Sequence, residues 1–361
     1  MTDVPTRDLD VIALGSIMAE ISPPDNRTRV TEAESLIMVQ AGSATTFALA
    51  FQKLGGKLGF ISRLGADEVG QWIRRSLEAE GVDTSEVHAV PGQLTPISLA
   101  SVDASGKKTF AYYRFPGFSE PLGTLQSEEV ADDYLARSTI FDLTESSLRS
   151  VDSREVGLEL ARRCRALGVK VCVNPNYRPT AWKGGQPEAV PVLKDAMALA
   201  DLAIMNGEEA TLISGEDDFD RAIAWLATNG PALVAVTHGE LPAALIVDGS
   251  VSKIPAVPAK VVFDIGAGDT FHAAFLAHYT AGNDPETSGR FAAQAAALES
   301  ARRMNLQDAE VISCEIMHPV DGTRVEVKGR LPFEMKIDDL VIPQEPEVLS
   351  EDELRAAGEG R

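Results

Sequence analysis

DIGAGDTF, residues 264–271, runs directly into HAAFLAHYT, residues 272–280. Two glycines bracket Ala267, and Asp269 then opens an apolar helix. Small residues let a ligand approach the backbone closely. Amides at a helix start point outward, and the helix dipole there favours negative charge. An aspartate beside such an anion pocket places a second negative charge where a phosphate would sit, unless its task is to take a proton from a nucleophile. The octapeptide therefore reads as a general base, Asp269, next to a phosphate-binding turn of Gly266, Ala267 and Gly268. Taken alone it also fits a plain helix start, with glycine for the turn and aspartate as a first-turn acid.

Working outward, strands and helices alternate. Leu9–Gly15 reads as a buried strand. Phe47, Ala48, Phe51 and Leu54 recur at helical spacing, with Ser43 placed to cap the start and Gly55–Gly56 to end it. Strands are expected at 58–65, 169–173, 202–205 and 233–237, and helices at 69–80, 153–167, 188–201, 218–228, 271–280 and 290–304. That rhythm predicts an α/β fold with a mainly parallel sheet covered on both faces. Residues 96–114 instead alternate around a Ser105–Gly106 turn and read as a hairpin, and 243–255 reads as a second one. The first hairpin, with part of 16–40, is expected to form a small β lid. Beyond residue 308 the texture changes to short strand-like runs and an acidic tail, a C-terminal extension spanning 308–361.

Composition limits the partners. The chain has 361 residues, 33 basic against 54 acidic, for a net charge of −21. Nucleic acid or an anionic membrane would need clustered Lys and Arg, so neither is expected. A few arginines and backbone amides can still bind one small anion. Cys164, Cys172 and Cys314 show no metal-ligand spacing, and neither do the five histidines, so no metal site built from them is expected. Scarce cysteine and a polar MTDVPTRDLD start suggest the cytoplasm. G-x-x-x-x-G-K-[ST] does not occur, which excludes a P-loop.

GAGD before an apolar helix resembles the hallmark of the ribokinase-like (PfkB) carbohydrate kinases. LDVIALGSIMAEI (9–21) is similar to that family's first strand, with Glu20 as the acidic residue that touches sugar. AGSATTFALAFQKLGGKLGFISRLGADEVG (41–70) resembles its sugar signature, ending in G-x-D-x-x-G. Asn206–Glu209 matches N-x-x-E, and Thr237-His-Gly239 matches the T-x-G element beside the nucleotide. The resemblance implies a three-layer ribokinase-like sandwich over 9–307, with ATP and Mg²⁺ as cofactors. It assigns Asn206, Glu209, Thr237 and Gly239 to the nucleotide side, and Gly42 and Thr46 to the acceptor. Tyr112-Tyr113-Arg114 and VNPNYRPTAW (173–182) look like the 2-keto-3-deoxygluconate kinases, which implies that Tyr112, Arg114 and Arg178 hold a sugar acid. Arginine forks suit a carboxylate.

Three departures stand out. Ala41 and Thr46 replace the usual Gly and Asn of the sugar signature. Phe263 stands where the family often has the Asp of a monovalent-cation site, with Asp264 one place late, which puts potassium activation in doubt. D-x-N-x-R becomes Asn174-Pro-Asn176-Tyr-Arg178. The leading expectation is ATP-dependent phosphorylation of a sugar acid. A neutral sugar or nucleoside kinase and a degenerate, non-catalytic ligand binder are the alternatives. The family's lid-to-lid pairing implies a homodimer. In competition, Val325, Val327, Leu331 and Phe333 could cover the lid within one chain.

Overall fold

Apolar residues facing both ways from one strand require a layer on each side of the sheet, and the central strands have that pattern. Val11 and Ala13 pack into one core and Ile12 and Leu14 into the other. Leu202 and Ile204 alternate in the same way with Ala203 and Met205. A computed structural model describes residues 7–23, 28–102, 108–113, 120–257 and 266–300, together with two short strands at 314–317 and 324–327.

In chain order the elements begin β1 (Leu9–Leu14), β2 (Met18–Ser22), β3 (Ile37–Ala41), α1 (Ser43–Lys53), β4 (Leu58–Gly65), α2 (Glu68–Ala79), β5 (Val87–Val90), β6 (Ile97–Val102) and β7 (Lys108–Tyr113). They continue with α3 (Asp132–Leu135), β8 (Ser138–Thr144), α4 (Glu145–Leu148), α5 (Val151–Ala166), β9 (Lys170–Asn174), α6 (Gln186–Leu199), β10 (Leu202–Asn206), α7 (Gly207–Ser214) and α8 (Phe219–Asn229). The last are β11 (Leu233–His238), β12 (Leu241–Val247), β13 (Ser250–Ile254), α9 (Ala267–Thr280) and α10 (Pro285–Ser300). The central sheet runs β13-β12-β11-β10-β9-β8-β1-β4-β5. It is parallel from β11 to β5, and β12 and β13 are antiparallel. Helices α1, α2, α9 and α10 cover one face, and α5 to α8 the other. The result is a three-layer sandwich, as the resemblance implies.

A second, smaller sheet, β3-β2-β6-β7, stands beside it. Residues 18–22, 37–41 and the 97–113 hairpin supply it. It is mixed, because β2 pairs parallel with β6 while the other two pairings are antiparallel. Asp67 fixes its base. That side chain caps α2 at the Gly70 amide (2.7 Å) and accepts from the Thr95 amide (2.6 Å) and hydroxyl (2.8 Å), just before β6. Burial pushes the Asp67 carboxyl up, but these hydrogen bonds outweigh it and hold the group below its usual value.

Several boundaries differ from expectation. Ser43 does not cap α1; the N-cap is Gly42, with no side-chain cap, and the serine is used elsewhere. Helix α9 begins at Ala267 rather than Phe271, and α10 at Pro285 rather than Arg290, because Gly266 and Pro285 are themselves good helix openers. The Ser105–Gly106 turn, Phe263, Asp264 and the tail residues beyond 327 lie outside the described residues. No helix among the described residues is long and apolar enough to cross a membrane.

Candidate active site

The carboxyl ends of the parallel strands converge where strand order reverses, between β1 and β8. The chain leaves β1 toward β4 and β5 on one side and returns to β8, β9, β10 and β11 on the other. Such a crevice is where open α/β sheets bind ligands. Asn206 and Thr237 are register partners at the ends of β10 and β11, and Thr144 and Asn174 at the ends of β8 and β9.

Asp269 lies in the first turn of α9, after Gly266, whose φ of +88° supplies the left-handed turn before the helix. A Cβ at Gly268 would meet nothing within 4 Å, so the turn is open to a ligand. The Ser43 hydroxyl donates to Asp269 Oδ1. Burial raises the Asp269 carboxyl above its usual value. Ser43, Arg178 and His272 pull it down, and Asp142 pushes it further up. Thr46 sits across from the turn, its methyl 3.6 Å from where a Gly266 Cβ would stand. Gly42 adopts φ +99° with the Ser16 carbonyl 3.1 Å from its would-be Cβ, so a side chain there would be strained. Glu20, on β2, is half-buried, and burial raises its carboxyl.

Arg178 is exposed and makes no ion pair among the described residues. Its charge nevertheless acts on Glu145, Glu209 and Asp269. Asn176, at φ +34°, bends the chain two residues before it, a conformation asparagine tolerates better than most. Glu209 ties this segment to the end of β10. Its Oε1 accepts from the Tyr177 amide (2.8 Å) and Oε2 from the Asn206 amide (3.0 Å), while Asn206 Oδ1 accepts from the Glu209 amide (2.9 Å). Burial lifts the Glu209 carboxyl to about 7 against those two amides. Thr237 is half-buried. Gly239, at φ +60°, has open space where a side chain would be. His238 stacks on Phe219 with ring centres 3.8 Å apart. Tyr112 is 43% exposed on the edge strand β7, and Arg114 lies outside the described residues.

Sequence reasoning missed several residues here. Ser43 fits a helix cap by its position in the sequence, yet its hydroxyl donates to Asp269. Glu145, 2% exposed, has its carboxyl raised by burial to about 7, in spite of Arg149 at 3.5 Å. Arg149 donates to both Glu120 oxygens (3.0 and 3.1 Å) and to the Ser16 hydroxyl (3.2 Å). Beneath Asp269, His272 contacts Asp142 and Asn174. Only Asn174 carried a signal, as the departure from Asp in D-x-N-x-R.

These features define a phosphotransferase-type crevice on a ribokinase-like scaffold. Comparison with known proteins agrees. The sequence profile "pfkB family carbohydrate kinase" matches residues 8–308, and the chain belongs to that family; it is a sugar kinase. A second profile, the dimerisation domain of D-ornithine 4,5-aminomutase, matches residues 285–344. The chain is 32% identical over 252 residues to a fructokinase of Klebsiella pneumoniae, covering 70% of this chain and 80% of that protein. It is 27% identical over 300 residues to a 5-dehydro-2-deoxygluconokinase of Halalkalibacterium halodurans, covering 81% and 88%. Among solved structures it resembles a fructokinase with bound ATP from Xylella fastidiosa, with TM-score 0.71, 24% identity, and 81% and 92% of the two chains covered. It also resembles an E. coli chain assigned as a Ribokinase II in complex with ATP and Mg²⁺, with TM-score 0.73, 24% identity, and 82% and 94% covered.

Proposed function

We propose that this kinase transfers the γ-phosphoryl group of ATP to a hydroxyl of a sugar acid related to 2-keto-3-deoxygluconate, with Asp269 as general base. The observation that carries this reading is the half-buried Asp269, held by Ser43 at an open helix start and facing the Arg178 charge. The acceptor hydroxyl lies between Asp269 and the γ-phosphate and gives up its proton to Asp269 as it attacks in line. Amides at 266–269 stabilise charge on the transferring group. Most of the acceleration comes from positioning. Arg178 and Arg114 read the acceptor carboxylate, and Glu20, Gly42, Thr46 and Tyr112 complete the acceptor side. Asn206, Thr237 and Gly239 flank the nucleotide.

Mg²⁺ supplies charge neutralisation on the phosphates when bound. Both Glu209 oxygens already accept backbone amides, so the donor set fits an ion held through water rather than gripped directly. The relatives named 5-dehydro-2-deoxygluconokinase support an acid acceptor. A neutral acceptor such as fructose is the second reading, supported by the 32% identity to a fructokinase. The kinase domain spans 9–307, with residues 308–361 as an extension. The protein works as a homodimer through its lids; the dimerisation profile over 285–344 lies outside those strands and supports assembly in general, not this surface. Its acidity and buried, unpaired Cys164 and Cys172 suit a reducing cytoplasm.

Coupled ADP detection over 2-keto-3-deoxygluconate, 5-dehydro-2-deoxygluconate, fructose and ribose tests the acceptor. The sugar acids should give the highest kcat/KM; a preference for fructose would establish the second reading. Asp269→Asn should lower kcat by about 10²–10⁴ with ATP affinity unchanged. Retention of a third of the activity would refute the base.

A further inference from the structure

His272 is 1% exposed, one turn beyond Asp269 on α9, and the reaction as described gives it no task. Its ring is held on every side. Nε2 stands 3.0 Å from Asp142 Oδ1 on β8, and Nδ1 stands 2.7 Å from the Asn174 side-chain nitrogen on β9. The ring face stacks on Phe47 of α1 at 4.3 Å, and Cys172 Sγ of β9 is 3.6 Å from Nε2. With the Asn174 amide donating to Nδ1, the ring proton sits on Nε2, which faces both Asp142 Oδ1 and Cys172 Sγ.

These contacts form two rungs between α1 and α9. Ser43 and Phe47 are four residues apart on one face of α1, and Asp269 and His272 three apart on one face of α9. Ser43 meets Asp269, and Phe47 meets His272. The second rung is also fastened to the sheet, through Asp142 and Asn174. Asn174 opens the segment that ends in Arg178. One imidazole therefore touches the three pieces that must agree in position: the helix of the base, the helix of the acceptor signature, and the segment carrying the acceptor-reading arginine. Asp142 is fully buried, and a carboxylate there is costly unless paired. Apolar side chains would fill the same space without that cost.

We propose that His272, anchored by Asp142 and Asn174, is a positioning residue that fixes α9 against α1 and the 174–178 segment, so that Asp269 and Arg178 meet the acceptor in one geometry. The proposal rests on Asp269 being the base.

His272→Phe keeps an aromatic ring against Phe47 but removes the hydrogen bond to Asn174 and the polar contact with Asp142. It should lower kcat by about tenfold or more and raise the acceptor KM, because small misplacements at the reacting centre are expensive. ATP affinity, read by titration, should stay within about twofold of wild type. His272→Gln can still donate to Asp142 and should recover most of the kcat.

The pH profile separates positioning from bulk stability. The charged or titratable groups acting on Asp269 are Arg178, His272, Asp142 and Glu209; those facing His272 are Asp142 and Cys172, beside neutral Asn174 and Phe47. Removing the imidazole takes away a group that lowers Asp269 and leaves Asp142, which raises it, so the acid limb of kcat/KM should move up in His272→Phe. Asp142→Asn should move it down. Wild-type kcat in His272→Phe would overturn the proposal. So would a kcat loss that tracks Tm with no rescue by Gln, or limbs shifted in the same direction by both variants. One equivalent of a transition metal bound through Cys172 would also overturn it, since Nε2 would then be a ligand. If His272→Phe does not fold, Asp142→Asn and His272→Gln carry the test. Asp269→Asn measured in parallel keeps the two ideas apart. If it remains active, the base assignment is wrong. If it is dead while the His272 variants behave as wild type, only the positioning role is refuted.

Discussion

On the proposed reading Arg178 has two jobs, and a single substitution should expose both. Its exposed guanidinium can meet an acceptor carboxylate, and its charge favours the ionised form of Asp269. Arg178→Ala should raise KM for a sugar acid about tenfold to a hundredfold while sparing a neutral analogue, since a charge-assisted hydrogen bond is worth about 1.5–3 kcal/mol. It should also move the acid limb of kcat/KM upward, because Asp269 loses a cation that lowers its pKa. Equal KM effects on both substrates would show that Arg178 does not read the carboxylate. Glu145 gives a stability signature instead. Its carboxyl rises from 4.5 to about 7 on folding, mainly through burial. Between those values the folded state holds a proton that the unfolded chain has lost, so this group's contribution is fully present below about pH 4.5 and is lost as pH rises to 7. The linkage is worth about 3 kcal/mol at most. Glu145→Gln lacks it, so the stability of the variant relative to wild type should grow from pH 5 to pH 7 and then level off. A constant difference in urea midpoints across that range would refute the assignment.

At the scale of elements, the G-A-D-E-V-G turn at 65–70 joins the two sheets. A Cβ at Gly65 would fall 2.3 Å from the Thr95 amide nitrogen, and one at Gly70 2.4 Å from the Gly65 carbonyl, so only glycine allows this approach. Asp67→Ala removes the α2 cap and both ties to Thr95. It should cost about 1–2 kcal/mol in urea unfolding and raise the acceptor KM more than the ATP KM, because the base of the small sheet loosens. Unchanged KM values would show that the turn serves α2 alone. This motif was legible because its residues are adjacent, as were β9, β10 and β11, whose apolar runs have helices on both sides. Strand β8 was not, because Asp142 interrupts STIFDLT and its partner His272 lies 130 residues away in the chain. Strands β2 and β3 alternate only partly between buried and exposed positions, so 16–40 read as mixed. Ser43 was misread for a local reason: serine before a helical run fits a cap, and only tertiary contact with α9 shows its hydroxyl turned to Asp269.

For the whole molecule, the small sheet poses a problem that one described chain leaves open. Its outer strands are β3 and β7, so each presents an unpaired backbone edge within that sheet. The same region exposes Leu36 (45%), Met38 (39%), Phe110 (41%) and Tyr112 (43%), and Phe110 stacks on Tyr112 with ring centres 6.3 Å apart. By register Phe110 and Tyr112 lie at the β7 edge on the face that carries Glu20, and Met38 lies at the β3 edge on the other face, so the aromatic pair beside β7 is one exposed apolar group at an open edge. A second copy offers the same β7 edge and the same Phe110 and Tyr112, so a two-fold pairing of lids along β7 would satisfy both at once. Phe110 is outside the proposed acceptor contacts, which makes it the residue to change. Phe110→Lys places a charge on that face and on its twofold mate. The wild type should elute with twice its 38.6 kDa mass in light scattering, and the variant as a monomer with a raised acceptor KM. A chain ending at residue 308 should stay dimeric if the extension is an appendage. A monomeric wild type whose truncated form aggregates would mean that residues beyond 308 cover the lid within one chain, and the paired-lid arrangement would be wrong.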